Sequence, residues 1–527
     1  MTETVQSAIA ARLDALSIPS RIDTDSYPSI EALYEEPLSS YRDEAACSSV
    51  GHTLTYAELD RLSAQFAGWL QHGAGLERGD RVAVQMPNLI QYLVVCLGAL
   101  RAGMVVVNTN PLYTERELEH QLNDAGVKVM VVQANVAQTA AAVLPKTGVQ
   151  TVVVTEIADL HPQPKRTLIN FLVKYVKRMV PAFSIPGALK LNAVLKAGAK
   201  TPYRAVILNR DELAMLQYTG GTTGVAKGAM LTHGNLIANV LQSDAFFETH
   251  NIDGRGSTML QPLPVYHIYA FTASMYALRI GAHTAFVPNP RDLPSVVKAF
   301  DDYKPALFCG LNTLFVALCN NEAFRALDFS NLQVTLSGGM ALTHDAANRW
   351  TEVTGCRVSE GYGLTETSPL VSANGWSGPG TSKLRCVGRV ANGVKVTIDT
   401  DAWDDPDRPD EGEIIVTGPN VMLGYWNNEE ATKEVIMEPG TFRTGDLGKL
   451  SADGYLSITG RVKSQFKLEN GKYVSPAPLE ENVKLSPLVE QAALDGRNML
   501  KTYLIVHPNL EAMKAALKSA GVDASGS

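Results

Sequence analysis

The chain has 527 residues, of which 45% are hydrophobic, enough for a large core and for more than one domain. Its formal net charge of −8 argues against nucleic acid as the main partner. The cysteines are scattered without C-x-x-C pairing, which predicts buried free thiols in a reducing cytosol and argues against a disulfide framework or a zinc site: Cys47, Cys96, Cys309, Cys319, Cys356 and Cys386.

The N-terminal part predicts alternating helices and strands. Thr55 with Glu58 has the pattern of a capping box, and the apolar stripe of the helix after it is Leu59, Leu62, Phe66, Trp69 and Leu70. Further elements are predicted as strands at 81–86, 104–107 and 127–132, a buried helix at 88–102, and a helix through Leu122 that opens on a second capping box at Thr114 and Glu117. This alternation predicts an α/β fold built on mainly parallel sheets flanked by helices.

Two features of the N-terminal part bear on membranes. The first residues lack the basic and then apolar profile of a signal peptide. The apolar run from 92 to 107 is interrupted by Arg101 and Gly103 and is too short to span a bilayer.

Residues 165–200 have a different composition, with eight basic residues and no acidic one. Apolar residues such as Leu168, Phe171 and Leu172 lie near helical spacing between the charges. Two interpretations stay open: a solvated amphipathic helix with a linker, or contact with an anionic membrane surface, which lysine-rich amphipathic segments favour. Pro181 and Pro186 interrupt the segment.

The stretch 218–228 reads Tyr-Thr-Gly-Gly-Thr-Thr-Gly-Val-Ala-Lys-Gly. Glycines let backbone N–H groups approach a ligand, threonine hydroxyls can contact phosphate or a metal, and a lysine adds a positive charge. Glycine content alone would equally suit a flexible surface loop. The threonines with Lys227 favour a phosphate-binding loop, although one that lacks the Walker spacing.

The stretch 218–233 resembles the phosphate-loop signature of the adenylate-forming enzymes, and most closely that of bacterial long-chain fatty acyl-CoA synthetases. Two further stretches strengthen this resemblance, Gly361-Tyr-Gly-Leu-Thr-Glu-Thr367 and Phe442-Arg-Thr-Gly-Asp-Leu-Gly448. The resemblance covers residues 53 to about 480. It implies a large N-terminal ATP-binding body at 1–460, a small α+β C-terminal lid at 461–527, and a hinge near Lys463.

The resemblance also implies roles for individual residues. Glu366 and Thr223 would bind Mg²⁺, Thr365 would contact the α-phosphate, Tyr362 would stack on adenine, and Asp446 would hold the ribose hydroxyls. Arg461 would be the next ribose or phosphate contact. The implied nucleotide-binding set is completed by Thr219, Gly220, Gly221, Thr222, Gly224, Lys227, Gly338, Gly339, Gly361 and Gly363. Catalytic roles are implied for Thr223, Lys227, Glu366 and His267.

The acyl substrate is predicted to contact two further segments. The aromatic stretch that contains Tyr266 and His267 resembles the family's segment near the acid pocket, and His267 is expected to position the substrate, because a carboxylate is already ionised and needs no base. Gly310, Leu311 and Thr313 begin a helix that would line the acyl pocket. No charged residue lies between 306 and 318, which favours an apolar tail, although core packing explains the same composition.

The C-terminal part departs from the family pattern. No loop of the P-K-T-x-x-G-K type follows His507-Pro508-Asn509, so no catalytic lysine is assigned and the lid is expected to be truncated. Lys467 and Lys472 are the first candidates for a substitute. The apolar positions Val483, Leu485, Leu488, Val489, Leu504, Ile505 and Val506 are expected to form a small core.

The predicted activity is that of a long-chain fatty acid–CoA ligase, with ATP, Mg²⁺ and coenzyme A. The acid would first form an acyl-adenylate with release of pyrophosphate, and coenzyme A would then displace AMP. Two alternatives stay open: a fatty acyl-AMP ligase that loads a carrier protein, and a non-catalytic ATP- and lipid-binding body. The expected location is the cytoplasm, with peripheral contact at the inner face of the membrane through 165–200; a homodimer is compatible with the resemblance.

Overall fold

The computed structural model describes residues 22–24, 26–220, 225–248, 250, 252–375, 382–383, 386–402, 408–464, 466–469, 473–474, 476–484, 486, 488–497 and 499–519. Within these ranges, no helix is long and apolar enough to cross a membrane.

The helices alternate with strands along most of the chain. In chain order the α-helices are α1 Ala32–Ser40, α2 Tyr56–His72, α3 Ile90–Arg101, α4 Glu115–Asp124, α5 Ala137–Val143, α6 Lys165–Phe171, α7 Leu191–Gly198, α8 His233–Glu248, α9 Ile268–Arg279, α10 Leu293–Tyr303, α11 Asn312–Cys319, α12 Glu322–Arg325, α13 His344–Thr354, α14 Glu429–Val435, α15 Pro476–Lys484 and α16 Leu510–Ser519. A π-helical turn, Leu172–Val176, continues α6, and 3-10 turns lie at Leu144–Lys146, Thr365–Thr367 and Thr400–Ala402.

The strands form three main sheets and two short hairpins. In chain order they are β1 Ala45–Ser49, β2 His52–Thr55, β3 Arg81–Gln85, β4 Val105–Asn108, β5 Val127–Gln133, β6 Thr151–Thr155, β7 Leu189–Lys190, β8 Leu213–Thr219, β9 Lys227–Thr232, β10 Thr258–Gln261, β11 His283–Phe286, β12 Leu307–Gly310, β13 Val334–Ser337, β14 Val358–Gly363, β15 Leu370–Ala373, β16 Arg389–Val390, β17 Lys395–Asp399, β18 Gly412–Thr417, β19 Ile436–Glu438, β20 Thr441–Leu450, β21 Leu456–Arg461, β22 Phe466–Lys467, β23 Tyr473–Val474, β24 Val489–Asp495 and β25 Tyr503–Pro508.

Two large, mainly parallel sheets form the body. The first has seven strands in the order β7-β6-β5-β3-β4-β8-β9, and only the β8–β9 pair is antiparallel. The second has nine strands in the order β16-β15-β14-β13-β12-β10-β11-β1-β2, with a parallel centre from β14 to β1. In such a parallel sheet the connecting helices cover both faces. The strands are therefore buried on both sides, and their sequences are continuously hydrophobic. The predicted α/β fold class is confirmed.

The local predictions for the N-terminal part are confirmed as well. Thr55 accepts a hydrogen bond from the Glu58 N–H and the Glu58 carboxylate accepts one from the Thr55 N–H, so the capping box is complete; Thr114 and Glu117 form the second one. The predicted stripe of α2 is buried, and all six cysteines are buried free thiols.

The third sheet is antiparallel, with β17-β18-β20-β19 in order and β21 paired to β20. Beyond it, β22 pairs with β23 and β24 with β25. The predicted small C-terminal core is wrong for Leu488, Leu504, Ile505 and Val506, which are 38–62% exposed. Strand pairing satisfies the backbone there, but each of these side chains leaves much of its surface in contact with water. Leu485 lies outside the described residues.

Candidate active site

A cavity of about 980 Å³ lies where the three sheets meet. The hairpin of β8 and β9 contributes Thr219, Gly220 and Lys227, and the second sheet contributes the ends of β13 and β14. The third sheet contributes residues of β18, β20 and β21. Most of the predicted site residues line this one cavity: Thr219, Gly220, Lys227, His267, Leu311, Gly338, Gly339, Gly361, Tyr362, Gly363, Thr365, Glu366, Arg461 and Lys463.

Four residues of the predicted phosphate loop lie outside the described part of the chain, Gly221, Thr222, Thr223 and Gly224. The strands on either side of them are described. Thr219 pairs with Lys227 across the β8–β9 ladder, and both residues line the cavity.

Tyr425, which the sequence patterns did not single out, joins two of the predicted residues. Its hydroxyl donates a 2.7 Å hydrogen bond to Oε1 of Glu366, and the Lys227 Nζ lies 4.8 Å from the centroid of its ring. A lysine over an aromatic face is attracted by the ring's quadrupole. The buried Tyr425 side chain therefore lies between Lys227 and Glu366 and contacts both. The only local signal was Gly424 followed by two aromatic residues in a polar stretch.

The backbone around Tyr425 is held against β9. The Leu423 N–H donates to Met230 O, the Met230 N–H to Gly424 O, and the Trp426 N–H to Gly228 O. The Tyr425 N–H donates to Oγ1 of Thr432. These bonds extend the β8–β9 ladder and place the Tyr425 ring beside Lys227.

Glu366 lies in a 3-10 turn with defined hydrogen bonding. The buried Thr367 hydroxyl donates to Pro369 O at 2.6 Å and accepts from the Leu364 N–H at 3.0 Å. The Met422 N–H donates to the Glu366 carbonyl. The turn therefore presents the Glu366 carboxylate to the cavity from a rigid support.

Asp446, Arg461 and Tyr362 form a bonded group; Arg461 and Tyr362 line the cavity, whereas the predicted ribose contact Asp446 is buried next to them and does not line it. Asp446 and Arg461 lie opposite each other in the β20–β21 ladder, and Arg461 Nε is 2.7 Å from Asp446 Oδ1. The Tyr362 hydroxyl donates to Asp446 Oδ2 at 2.7 Å. Burial raises the pKa of Asp446 above 3.8, and the Arg461 charge and the Tyr362 hydrogen bond oppose that rise. Each carboxylate oxygen keeps a further acceptor position after these bonds.

Further contacts brace the part of β20 that carries Asp446. Arg443 forms ion pairs with Glu413 and, at 2.6 Å, with Asp399, and the Thr444 hydroxyl donates to Ile414 O at 2.8 Å. The Gly445 N–H donates to Glu413 Oε1. A buried carboxylate needs such fixed surroundings, because an uncompensated buried charge is costly.

Two glycines of this region have distinct physical reasons. Gly339, just beyond the end of β13, has φ of +81°, which side chains rarely tolerate. At Gly363 a Cβ would come within 1.9 Å of Pro369 O, so the β14–β15 contact requires glycine whatever the ligand. Nearby, the buried Ser337 hydroxyl lines the cavity and has no hydrogen-bond partner among the described residues.

An apolar arm of the cavity extends between α8, α9 and the second sheet. Its lining residues are Phe246, Phe247, Met259, Leu263, Ala270, Ala273, Tyr276, Leu336 and Leu370. Phe247 and Tyr276 stack with ring centroids 4.4 Å apart. The charged residues of the described lining all come from other elements, so one end of the cavity is charged and the other is apolar.

His267 lies where the two ends meet, directly before α9. It is accessible from the cavity, but the protein atoms around it lower its pKa below 6.5 by desolvation. The ring is therefore neutral at pH 7. Its backbone carbonyl accepts from the Phe271 N–H, which fixes it to the first turn of the helix.

Three predicted pocket residues do not line the cavity. Tyr266 is buried, and its carbonyl accepts from Gln217 Nε2 at 2.8 Å. Gly310 ends β12, where a Cβ would meet the Phe315 ring at 2.6 Å, so packing explains this glycine. Thr313 is exposed on α11. Only Leu311 of this segment reaches the cavity.

The donor set can be compared with what Mg²⁺ requires. The described residues contain no group of three or more His, Cys, Asp or Glu side chains that could hold a metal by themselves. Mg²⁺ usually binds one or two carboxylates together with substrate phosphates and water. Glu366, one of the carboxylates that line the cavity, would fit that mode of binding beside a bound phosphate.

The comparisons with known proteins bear on the family and the fold of the chain. The family model described as "AMP-binding enzyme" matches residues 34–426. A long-chain-fatty-acid–CoA ligase of Escherichia coli O157:H7 is 42% identical over 480 residues, which cover 91% of this chain and 85% of that protein. An anthranilate CoA ligase crystallised with anthranoyl-AMP has the same fold, with a TM-score of 0.78, 20% identity, and coverage of 96% of this chain and 93% of that one. A long-chain-fatty-acid–CoA ligase of Archaeoglobus fulgidus has a TM-score of 0.69 at 22% identity, with 95% of each chain covered.

Proposed function

The chain belongs to the AMP-binding enzyme family, and we propose that it joins a long-chain fatty acid to coenzyme A in two steps. In the first step a carboxylate oxygen of the acid attacks the α-phosphorus of ATP, and the bond to pyrophosphate breaks. In the second step the thiolate of coenzyme A attacks the acyl carbon, and AMP leaves. The enzyme is an acid–thiol ligase, like the relatives that it matches over most of its length.

The observation that carries this proposal is the polarity of the cavity. Its charged end holds Lys227, Glu366 and Arg461, and its apolar arm runs between α8 and α9. A fatty acid has the same two-part character, with a carboxylate head and an apolar tail. Binding the tail in the arm would place the carboxylate near His267, at the junction, facing the phosphate-binding residues.

The nucleotide is proposed to bind across the ends of the second and third sheets. Asp446 would accept the ribose hydroxyls on its remaining acceptor positions, with Arg461 beside it. Tyr362, oriented by its bond to Asp446, would stack on adenine near Gly338 and Gly339. Thr365 would contact the α-phosphate.

The phosphates are proposed to lie between Lys227 and Glu366, with Thr223 as a second oxygen donor from the loop. Bound there, Mg²⁺ would neutralise phosphate charge. Glu366 would hold it, and Tyr425 would keep Glu366 in place through the hydroxyl hydrogen bond. Positioning and charge stabilisation supply most of the catalysis in reactions of this type.

Glu366→Gln tests the metal role. The variant keeps the size and a hydrogen-bond acceptor for Tyr425 but removes the charge, so the Mg²⁺ concentration for half-maximal ATP binding should rise by about tenfold or more, while fatty-acid binding stays the same. Calorimetric titration of both ligands measures this. If the Mg²⁺ titration curves of parent and variant coincide, Glu366 is excluded as the metal ligand.

His267 is proposed to position the acid and not to transfer a proton. The attacking carboxylate is ionised at neutral pH, and the lowered pKa of His267 keeps the ring uncharged. A neutral imidazole can donate one hydrogen bond to the carboxylate. His267→Asn should therefore retain more activity than His267→Ala in steady-state assays, since asparagine still offers a donor.

The C-terminal residues 461–527 are proposed to act as a lid that moves about Lys463 between the two steps. Lys463 and Ser464 line the cavity. A movement at Lys463 would therefore change which residues of the lid face the bound substrates. Domain motion of this type gates catalysis in many enzymes. The cytoplasmic location is a further proposal, supported by the buried free cysteines, and peripheral membrane contact and a homodimer belong with it.

One experiment separates the proposed reaction from its alternatives. Pyrophosphate release is measured with acids from acetate to oleate, with and without coenzyme A. Release that rises with chain length, together with coenzyme-A-dependent formation of AMP and thioester, is expected. Pyrophosphate without thioester formation would favour a carrier-protein ligase, and nucleotide binding without pyrophosphate release would favour a non-catalytic binder.

A further inference from the structure

Segment 165–179, which is helical over 165–176, exposes apolar side chains on its solvent side. Helix α6 continues through the π-helical turn Leu172–Val176, and neither element contains a buried residue. Large apolar residues recur at helical spacing up to Val176, and Met179 follows just beyond the helical part. All of them are 40–63% exposed: Leu168, Phe171, Leu172, Tyr175, Val176 and Met179. A surface helix normally turns such a stripe toward the core.

The segment is attached to the body through its opposite side. Asn170 donates hydrogen bonds to Glu156 Oε2 at 3.1 Å and Asp159 Oδ1 at 3.3 Å, and its Oδ1 accepts from the Ala158 N–H at 3.0 Å. Ile169 and Val173, on the same side as Asn170, are half-buried. The helix is therefore docked by a polar contact, and this docking keeps the apolar stripe outward.

Basic residues flank the stripe. Lys165, Arg166, Lys174, Lys177 and Arg178 lie within the segment, and no acidic residue occurs from 165 to 200, although the whole chain has a net charge of −8. The Lys174 Nζ lies 5.5 Å from the centroid of the Tyr175 ring, so apolar and cationic groups share one surface. This surface concentrates positive charge on a protein that is acidic elsewhere.

We propose that segment 165–179 is a membrane-docking surface that binds anionic lipid bilayers. The apolar stripe would enter the boundary between headgroups and acyl chains, and the flanking lysines and arginines would contact anionic headgroups. Helices that lie in a membrane interface have this combination of an apolar face and basic flanks. An acidic protein surface would complement only the basic residues, and a neutral apolar surface would complement only the apolar stripe. A bilayer with anionic lipids complements both.

The test uses the full chain and vesicles of two compositions, phosphatidylcholine alone and phosphatidylcholine with phosphatidylglycerol. Flotation should recover the protein with the anionic vesicles and much less with the neutral ones, and added salt should weaken the binding. Salt acts because it screens the attraction of the basic residues to the anionic surface.

Two variants separate charge from apolar insertion. Lys174→Glu with Lys177→Glu should weaken the partition into anionic vesicles by at least about 30-fold, because each basic residue near such a surface contributes on the order of fivefold. Phe171→Ser with Val176→Ser should weaken partition by about tenfold or more while leaving the charge unchanged.

Matched substitutions outside the segment control for general effects. Lys395→Glu reverses an exposed charge elsewhere, and Ile207→Ser and Leu112→Ser remove apolar side chains that are 90% and 68% exposed. These controls should bind vesicles like the parent chain. All variants should keep the thermal unfolding temperature and the activity on a water-soluble acid, because none of the changed residues lines the cavity.

A spectroscopic measurement tests insertion directly. In Tyr175→Trp, acyl-brominated lipids should quench the added fluorescence relative to the parent chain when anionic vesicles are present. Equal binding by parent and segment variants, or no quenching, would overturn the proposal. A change of oligomeric state in the segment variants with no change in vesicle binding would also overturn it, since it would assign the stripe to a contact between two copies.

Discussion

Replacing Tyr425 with phenylalanine isolates one contact of the candidate active site. The substitution removes the hydroxyl that donates a 2.7 Å hydrogen bond to Glu366 Oε1. It keeps the aromatic ring, whose centroid lies 4.8 Å from the Lys227 Nζ. A hydrogen bond to a charged group contributes on the order of 1.5–3 kcal/mol, and partners that orient metal ligands typically account for about 10–100-fold in metal affinity or activity. We expect the Mg²⁺ requirement of ATP binding to rise within that range.

The assay is a calorimetric titration of ATP at a series of Mg²⁺ concentrations, with the fatty-acid affinity measured in parallel. Tyr425→Phe should shift the Mg²⁺ dependence and leave the fatty-acid affinity unchanged, because the apolar arm is formed by other residues. Tyr425→Leu, which also removes the aromatic face beneath Lys227, should weaken ATP binding further.

Tyr56→Phe is the matched control. Its hydroxyl is also buried and donates to Leu278 O and Ala282 O, but Tyr56 does not line the cavity. This variant should lose stability without any change in Mg²⁺ dependence. If Tyr425→Phe behaves like Tyr56→Phe, the hydroxyl of Tyr425 has only a structural role and our reasoning is refuted.

Three further outcomes are expected. Asp446→Asn should weaken ATP binding by about 10–100-fold in calorimetry and also lower the unfolding temperature. The reason is that the amide nitrogen cannot accept the hydrogen bond that Tyr362 or Arg461 donates to the carboxylate oxygen in its place. An unchanged ATP affinity would exclude the ribose role. Burial raises the pKa of Glu360 from 4.5 to about 7, so between these pH values the folded state binds more protons than the unfolded state and the stability of the parent falls as pH rises. In urea unfolding, Glu360→Gln should be more stable than the parent by about 3 kcal/mol at pH 8 and equally stable near pH 4. A stability difference that does not change with pH would contradict this. Ala273→Phe should fill the apolar arm and reduce kcat/KM for oleate far more than for butyrate, whereas an equal loss for both acids would place the tail elsewhere.

Much of the fold could be predicted from the sequence because its causes are local. The capping boxes at Thr55 and Thr114 each involve residues three apart, and the buried stripe of α2 follows from helical periodicity. The short β-branched runs became the parallel strands of the first sheet. The family likeness and the ligase activity, both predicted from the signature stretches, are confirmed by the matched family and relatives.

The contacts that organise the site could not be predicted in this way because they join distant positions. Tyr425 and Glu366 are 59 residues apart, and Tyr362 and Asp446 are 84 apart. Neither pairing leaves a periodic pattern. The first depends on how the segment at Tyr425 packs against β9, and the second depends on how the third sheet meets the second. The roles of the individual site residues stay predictions, and so does the division at 460.

Segment 165–179 shows a different limit of sequence patterns. The spacing of Leu168, Phe171, Leu172 and Tyr175 predicts one apolar helical face, which the structure contains. Periodicity does not reveal which way that face points. The direction is set by Asn170, whose hydrogen bonds with Glu156, Ala158 and Asp159 attach the polar side to the body.

The proposed hinge has a position that the strand pairing helps to explain. Arg461 is held in the β20–β21 ladder opposite Asp446, and the next N–H, that of Val462, still donates to Gly445 O at 2.9 Å. A rotation that began before Arg461 would break the Asp446 ion pair and disturb the ribose contact in each catalytic cycle. A rotation at Lys463 would leave both bonds in place while the residues after it reorient. A hinge directly after the last ladder bond would therefore let Arg461 and Val462, the first residues of 461–527, keep their contacts with β20, while only the residues from Lys463 onward reorient between the two proposed steps.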